Sequence, residues 1–145
     1  MIITAHHIRK AIFDALNGNV NYSGSAVPVY NKVPHNTSYP FIKIYGDSEK
    51  SINLNQSDFI NEVVTKIEVV TRFKGNAGGE LQAQLISSLI LDIIKPNAGA
   101  AFTGLHSSLN NLICRLENII YLEDYTKDNT YYRAIISFIT DTQNT

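Results

Sequence analysis

The stretch that decides the fold spans residues 59–73 and reads FINEVVTKIEVVTRF. Five large apolar side chains fall on its odd positions and four charged side chains on its even positions: Phe59, Val63, Ile67, Val69 and Phe73 against Glu62, Lys66, Glu68 and Arg72. Successive side chains of a strand point to opposite faces, so this pattern predicts one long strand with a buried face and a face that is solvated or at an interface. The alternation favours an antiparallel sheet that is covered on one side.

Two amphipathic helices are predicted to cover that side. The first carries its apolar residues at a spacing of four: Ile8, Ile12 and Leu16. Thr4 suits its N-cap and Gly18 its end. The second begins near Glu80 and carries two neighbouring apolar rows: Leu81, Leu85, Leu89 and Ile93, and beside them Ile86, Ile90 and Ile94. A stripe this broad is typical of a helix that lies flat on a sheet.

The remaining strands are read from turn residues and alternation. Residues 27–30 form a short extended edge segment, and residues 41–45 form a strand that Gly46 ends. Residues 47–57 are polar and predict a loop. A closing hairpin turns at residues 125–129, and its two strands alternate: Leu112, Cys114, Leu116, Ile120 and Leu122, then Tyr132, Ala134, Ile136 and Phe138.

The order of helix, strands, helix and hairpin predicts an α+β fold. We expect an antiparallel sheet of about four strands with two helices packed on one face. Residues 97–111 would connect the second helix to the hairpin. The chain has 145 residues, so a single domain spanning residues 1–145 is expected.

Charge and composition limit the function. The chain has 12 Lys and Arg against 13 Asp and Glu, a formal net charge of -1. Proteins that mainly grip nucleic acid usually have a basic excess, because each phosphate contact needs a Lys or Arg. The start lacks the apolar run of a signal peptide, and no stretch approaches the roughly 20 apolar residues of a membrane span. With Cys114 as the one cysteine, no disulfide framework exists, and a reducing cytoplasm is expected.

No residue pattern predicts catalysis, a cofactor or a metal site. His6 and His7 are adjacent and would point about 100° apart on a helix, so they cannot chelate one metal ion. Cys114 lies among alternating apolar residues, and no base that could activate it is near in sequence. The glycines of residues 75–79 lack the spacing and the following Lys-Ser or Lys-Thr of a phosphate loop. We therefore expect no enzymatic activity.

A resemblance to a known family rests on short motifs in a fixed order. Residues 27–34 read VPVYNKVP, residues 39–42 read YPFI and residues 69–75 read VVTRFKG; Glu80-Leu81 and Arg133 follow. In this order they resemble the tail-completion (tail-terminator) proteins of long-tailed, siphovirus-like bacteriophages. The resemblance spans nearly the whole chain. The tryptophan that the family usually carries near the end of the long strand is missing here.

The resemblance implies a virion structural protein. Such proteins form a ring, usually of six copies, on the head-proximal end of the tail tube. The ring ends tube polymerisation and joins the tail to a head-completion or neck protein. DNA passes through the lumen without tight binding, which a near-neutral charge suits. The expected location is the tail or neck of the virion, and the host cytoplasm during assembly.

Contacts with other copies and with the tube are expected from exposed segments. These are Val27, Pro28, Val29 and Tyr30 at the sheet edge, and Asp47, Glu49, Lys50 and Asp58 in or beside the polar loop. Two alternatives stay open. One is a head–tail connector (adaptor) of the neck, which its position in the particle would distinguish. The other is a small cytoplasmic enzyme or interaction domain, for which a cleft with perturbed titratable groups would speak.

Overall fold

The computed structural model describes residues 4–52, 60–75, 77–94 and 109–144. Its helices are α1 (Ala5–Leu16) and α2 (Leu81–Ile94). Its strands are β1 (Asn21–Tyr22), β2 (Ser25–Ala26), β3 (Val29–Tyr30), β4 (Phe41–Ile52), β5 (Ile60–Lys74), β6 (Leu109–Tyr125) and β7 (Asn129–Asn144). The fold is α+β, as expected.

The main sheet differs from the expected one in its number of strands. It has five strands in the order β3-β4-β5-β7-β6, and β1 with β2 forms a separate two-stranded sheet. All neighbours are antiparallel except β3 and β4, which are parallel. The prediction of a four-stranded antiparallel sheet is therefore corrected. Residues 31–40 carry the chain back along the sheet before β4 begins, so β3 and β4 run in the same direction.

The core lies between the two helices and one face of the sheet. Its fully buried members include Ile8, Ile12 and Leu16 of α1, Ile86, Ile90 and Ile94 of α2, Val63, Ile67 and Val69 of β5, and Ala134, Ile136 and Phe138 of β7. These positions confirm the pattern predicted for α1 and the central part of those predicted for β5 and β7. Phe73 and Tyr132 of the predicted faces are half-buried, and Phe59 lies outside the described residues. The other apolar row of α2 is less covered than expected: Leu81 is 67% exposed and Leu85 44% exposed, because the isoleucine row is the one that packs inward.

Strand β4 is longer than its sequence predicted. It passes Gly46 through a register shift between Gly46 and Ser48 and continues to Ile52, so the prediction of a loop over residues 47–52 is wrong. Lys50 there pairs with Glu62 of β5. The long β5 offers backbone partners to a polar segment that has no apolar signal of its own. Residues 53–59, including the rest of the expected loop, lie outside the described residues.

Strand β6 changes face part of the way along its length. Leu116 pairs with Phe138 and Asn118 pairs with Ser137, so Glu117 is an extra residue in a bulge. The side of the sheet away from the helices, here called the helix-free face, presents the even residues of β5 and the odd residues of β7. Beyond the bulge, Ile120 and Leu122 lie on this helix-free face, opposite Ile135 and Arg133. The expectation that the apolar residues of β6 share one face is therefore wrong, because one added residue moves every later side chain to the other face.

Candidate functional site: two open sheet edges and a charged face

The expected edge segment contributes less surface than its sequence suggested. Val27 and Val29 are buried in the core, with 3% and 5% of their surface exposed. The carbonyl oxygen of Pro28 accepts a hydrogen bond from the backbone N–H of Ile42 at 2.8 Å. What this segment offers to a partner is the outer backbone edge of β3 and the half-buried Pro28 and Tyr30.

The second expected group lies on β4, where one member has a structural task. Glu49 Oε1 accepts a hydrogen bond at 2.7 Å from the backbone N–H of Thr4, and the Thr4 hydroxyl also donates to it. Asn61 Nδ2 lies 3.3 Å from the same oxygen. A carboxylate at the positive end of a helix satisfies N–H groups that the helix leaves unpaired. Glu49 therefore caps α1 although it is exposed, as Asp47 and Lys50 also are; Asp58 lies outside the described residues.

Replacing Glu49 with alanine should lower the free energy of unfolding by about 1 kcal/mol, the usual cost of losing a helix cap. Lys50→Ala is the matched control, because Lys50 is the next residue of the same strand and is exposed. Its effect should stay within about 0.5 kcal/mol. Urea unfolding followed by circular dichroism measures both values. Equal effects of the two substitutions would contradict a capping role.

The helix-free face carries a ladder of ion pairs across its strands. Arg133 Nη1 lies 2.8 Å from Glu68 Oε1, and its Nε lies 2.9 Å from Asp124 Oδ2. Arg115 repeats the arrangement, with Glu62 at 2.9 Å and Asp141 at 2.8 Å. Each arginine thus bridges two carboxylates on other strands. Glu62 and Glu68 of β5 thus pair with arginines of β6 and β7, which only the fold brings beside them.

Neighbouring titratable groups respond to this ladder. The hydrogen bond to Asp141 raises the pKa of Arg115. Burial, reinforced by the Glu68 carboxylate, raises the pKa of Tyr45, so its phenol stays neutral. Since both arginines are bridged by carboxylates, this face offers them poorly to a phosphate group.

The outer edge of the sheet at β6 is the most apolar exposed surface of the described residues. Ile113, Ile120 and Leu122 are 50%, 45% and 39% exposed. Leu116 and Tyr121, on the side of the helices, are also exposed. No other described strand pairs with the outer edge of β6. The alternation of β6 did not indicate this surface, because it places the apolar residues on one buried face. Ile113 lies opposite Asp141 on the helix-free face, and the bulge at Glu117 moves Ile120 and Leu122 to that face as well.

A second open edge lies at the opposite side of the sheet. Strand β3 pairs with β4 only at Ile42 and Lys43, which leaves the outer edge of β4 from Ile44 to Ile52 without a described strand beside it. A cleft of about 360 Å³ adjoins this edge and is lined by His6, Arg9, Lys10, Phe13, Asn31 and Ile44. Its wall is therefore apolar at its base and cationic along α1.

Within ranges 4–52, 60–75, 77–94 and 109–144, no cluster of three His, Cys, Asp or Glu side chains could bind a metal ion. Cys114 is 1% exposed, which matches the buried position expected for it. None of the described helices is long and apolar enough to cross a membrane.

Comparison with known proteins gives one informative result. No protein-family model matches the sequence, and no curated protein is significantly similar to it. The fold is similar to that of a chain in the virion of a native gene transfer agent particle, with a TM-score of 0.69 and 15% sequence identity. The match covers 99% of this chain and 100% of that chain. The two chains therefore share one fold over their whole length.

Proposed function

We propose that this chain is a structural protein of a phage-like virion, which forms a ring on the head-proximal end of the tail tube, ends tube polymerisation and joins the tail to the head or neck. The observation that carries the proposal is the full-length likeness to a chain of a gene transfer agent virion. The motif order of residues 27–42, 69–81 and 133 favours the tail-terminator role within that class.

The surfaces of the domain suit a building block. Among the described strands, two sheet edges lack a neighbour and lie on opposite sides of the sheet, and the β6 edge exposes large apolar residues on both faces. Soluble monomers rarely leave such edges bare, because an uncovered strand pairs with other chains. A contact between two different surfaces generates a ring when its rotation closes. Six copies would follow the family that the sequence resembles.

The ring ends a tube if its two rims differ. One rim binds the last ring of the tube protein, and the other binds a head-completion or neck protein instead of more tube. Repeating a modest contact around the ring multiplies its strength. Pro28 and Tyr30 at the β3 edge and the exposed Asp47 and Lys50 are proposed to take part in these contacts.

Passage of DNA requires a lumen that does not retain phosphates. On the helix-free face, Arg115 and Arg133 are each bridged by two carboxylates, so these two arginines are poorly available to phosphates. Bridged arginines neutralise few phosphates, so few counterions are released from the DNA and little binding free energy is gained. The formal net charge of -1 is consistent with a channel that conducts DNA without binding it.

The experiment that tests the proposal adds the purified chain to polymerising tail-tube protein of the same virion. We expect negative-stain images to show rings of the chain alone, and tubes that are shorter and carry the chain at one end only, located by an affinity-tag label. Tubes grown without the chain are the control. In complete virions the same label should lie at the tail end of the neck.

Two results would reject the proposal. Tubes of unchanged length without label at their ends would exclude termination. Label located within the head, above the neck junction, would favour the connector instead.

A further inference from the structure

We infer that the β6 edge of one copy pairs with the open β4 edge of a second copy, and that its Leu116–Glu117 bulge enters the cationic cleft beside α1 of that copy. This inference deepens the proposed function, on which it rests, by assigning the contact that closes the ring. It replaces the expected edge segment Val27–Tyr30 as the principal interface.

The strand directions permit this pairing. Strands β4 and β7 run one way, and β5 and β6 run the other way, because every neighbouring pair from β4 to β6 is antiparallel. When a second copy is placed beside the first with its strands along the same direction, β6 of one copy meets β4 of the next in antiparallel orientation. Backbone hydrogen-bonding groups of the two edges can then pair on either side of the bulges at Asp47 of β4 and Glu117 of β6.

The open segments also lie at the same height along the sheet. Pairing across the sheet connects Lys50 through Glu62 and Asp141 to Ile113. Near the bulge, pairing connects Gly46 through Thr65 and Phe138 to Leu116, as a second row. The open part of β4 therefore faces the apolar part of β6 in the next copy without any shift along the axis.

The cleft beside α1 complements the side of β6 that would meet it. Leu116 is exposed on the side of the helices, and Glu117 projects from the bulge next to it. The cleft offers Phe13 as an apolar wall and the guanidinium of Arg9 as a cation. Lys10 is less suited to bind a partner, because it already pairs with Asp14 at 2.7 Å. Leu116 would thus contact Phe13, and the carboxylate of Glu117 would face the guanidinium of Arg9.

Continuing the sheet from copy to copy also orients the ring. Both helices lie on one side of the sheet, so the wider helix layer takes the outer circumference. The helix-free face, with Arg115 and Arg133 bridged by carboxylates, then lines the lumen. The contact and the passage proposed for DNA are consistent with each other.

Cross-linking with a short bismaleimide tests the pairing on the full-length chain at its highest soluble concentration. Lys50→Cys and Ile113→Cys place thiols on the same row of adjacent copies, and both positions are exposed. We expect the double variant to give a ladder of covalent oligomers that ends at the closed ring. A mixture of the two single variants should give dimers alone. The unsubstituted chain controls for the buried thiol of Cys114.

The cleft is tested by Arg9→Glu in the same double-cysteine background. We expect loss of the ladder, because Glu117 would then face a carboxylate. Lys127→Glu, a reversal of the same sign in the exposed hairpin turn, is the matched control and should leave the ladder unchanged. Equal yields from Arg9→Glu and Lys127→Glu would remove the cleft from the interface.

The outcomes separate this inference from the function. Dimers from Ile113→Cys alone would indicate β6–β6 pairing about a two-fold axis and would overturn it. Absence of cross-links in the double variant would also overturn the proposed pairing. If rings still form and shorten tubes in that case, the proposed function stands. A full ladder with tubes of unchanged length would leave the pairing intact and reject tube termination.

Discussion

Replacing Ile136 with alanine is expected to lower the free energy of unfolding by about 2–5 kcal/mol, the range for truncating a fully buried large aliphatic residue. Ile136 has no exposed surface and lies on β7, between β5 and β6 and beneath the helices. The substitution removes buried methyl groups and leaves a cavity that neighbouring strands cannot fill without breaking their pairing. Denaturant unfolding at constant protein concentration measures the loss.

The adjacent Ile135 provides a control of the same residue type. Its side chain lies on the helix-free face and is half-buried. Ile135→Ala should cost clearly less than Ile136→Ala, because less apolar surface returns to water. Equal losses would mean that the two faces of β7 are equally buried, and a larger loss at Ile135 would mean that the register of β7 is shifted by one residue.

The elements predicted well are those whose pattern is uninterrupted. In β5 the predicted face buries Val63, Ile67 and Val69, and in β7 it buries Ala134, Ile136 and Phe138. Phe73 and Tyr132, nearer the strand ends, are half-buried. In α1, Ile8, Ile12 and Leu16 keep a helical spacing and are all buried. Local periodicity suffices there because every residue of one face meets the same environment.

The elements predicted poorly depend on their neighbours. The polar part of β4 is a strand because the long β5 lies beside it, and β3 becomes a parallel fifth strand because of the path of residues 31–40. The bulge at Glu117 has no signal in the alternation of β6, since apolar residues occur on both sides of it. A single inserted residue is decided by the pairing of the whole hairpin, not by local propensity.

The candidate surfaces follow the same division. Exposure and length in the sequence led to residues 27–30 and 47–58, of which Val27 and Val29 prove buried and Glu49 proves to cap a helix. The β6 edge and the α1 cleft could not be predicted from sequence, because their residues come from separate elements that the sheet order places on opposite sides. A functional pattern carried by one helix or strand can be predicted from sequence. The residues of a sheet edge can be identified only once the order of the strands is known.

The ion-pair ladder leads to the second large effect, at Glu68. Its side chain is 9% exposed and lies 2.8 Å from Arg133, which is 31% exposed. Glu68→Gln keeps the shape but removes the charge from a nearly buried pair, so the free energy of unfolding should fall by about 1.5–3 kcal/mol, the range for hydrogen bonds to charged groups. Asp124 cannot compensate fully, because it is 55% exposed and its attraction is screened by water.

Glu62→Gln is the matched control within the same ladder. Glu62 and Arg115 are 26% and 42% exposed, and Arg115 keeps its hydrogen bond to Asp141 at 2.8 Å. Glu62→Gln should lower the free energy of unfolding by only about 0.2–1 kcal/mol, as for surface ion pairs. Added salt should shrink the effect of Glu62→Gln more than that of Glu68→Gln, because screening acts mainly on exposed charges. If both substitutions cost the same and respond alike to salt, the Glu68–Arg133 pair is as solvated as its neighbour, and the helix-free face is open to water along its whole length.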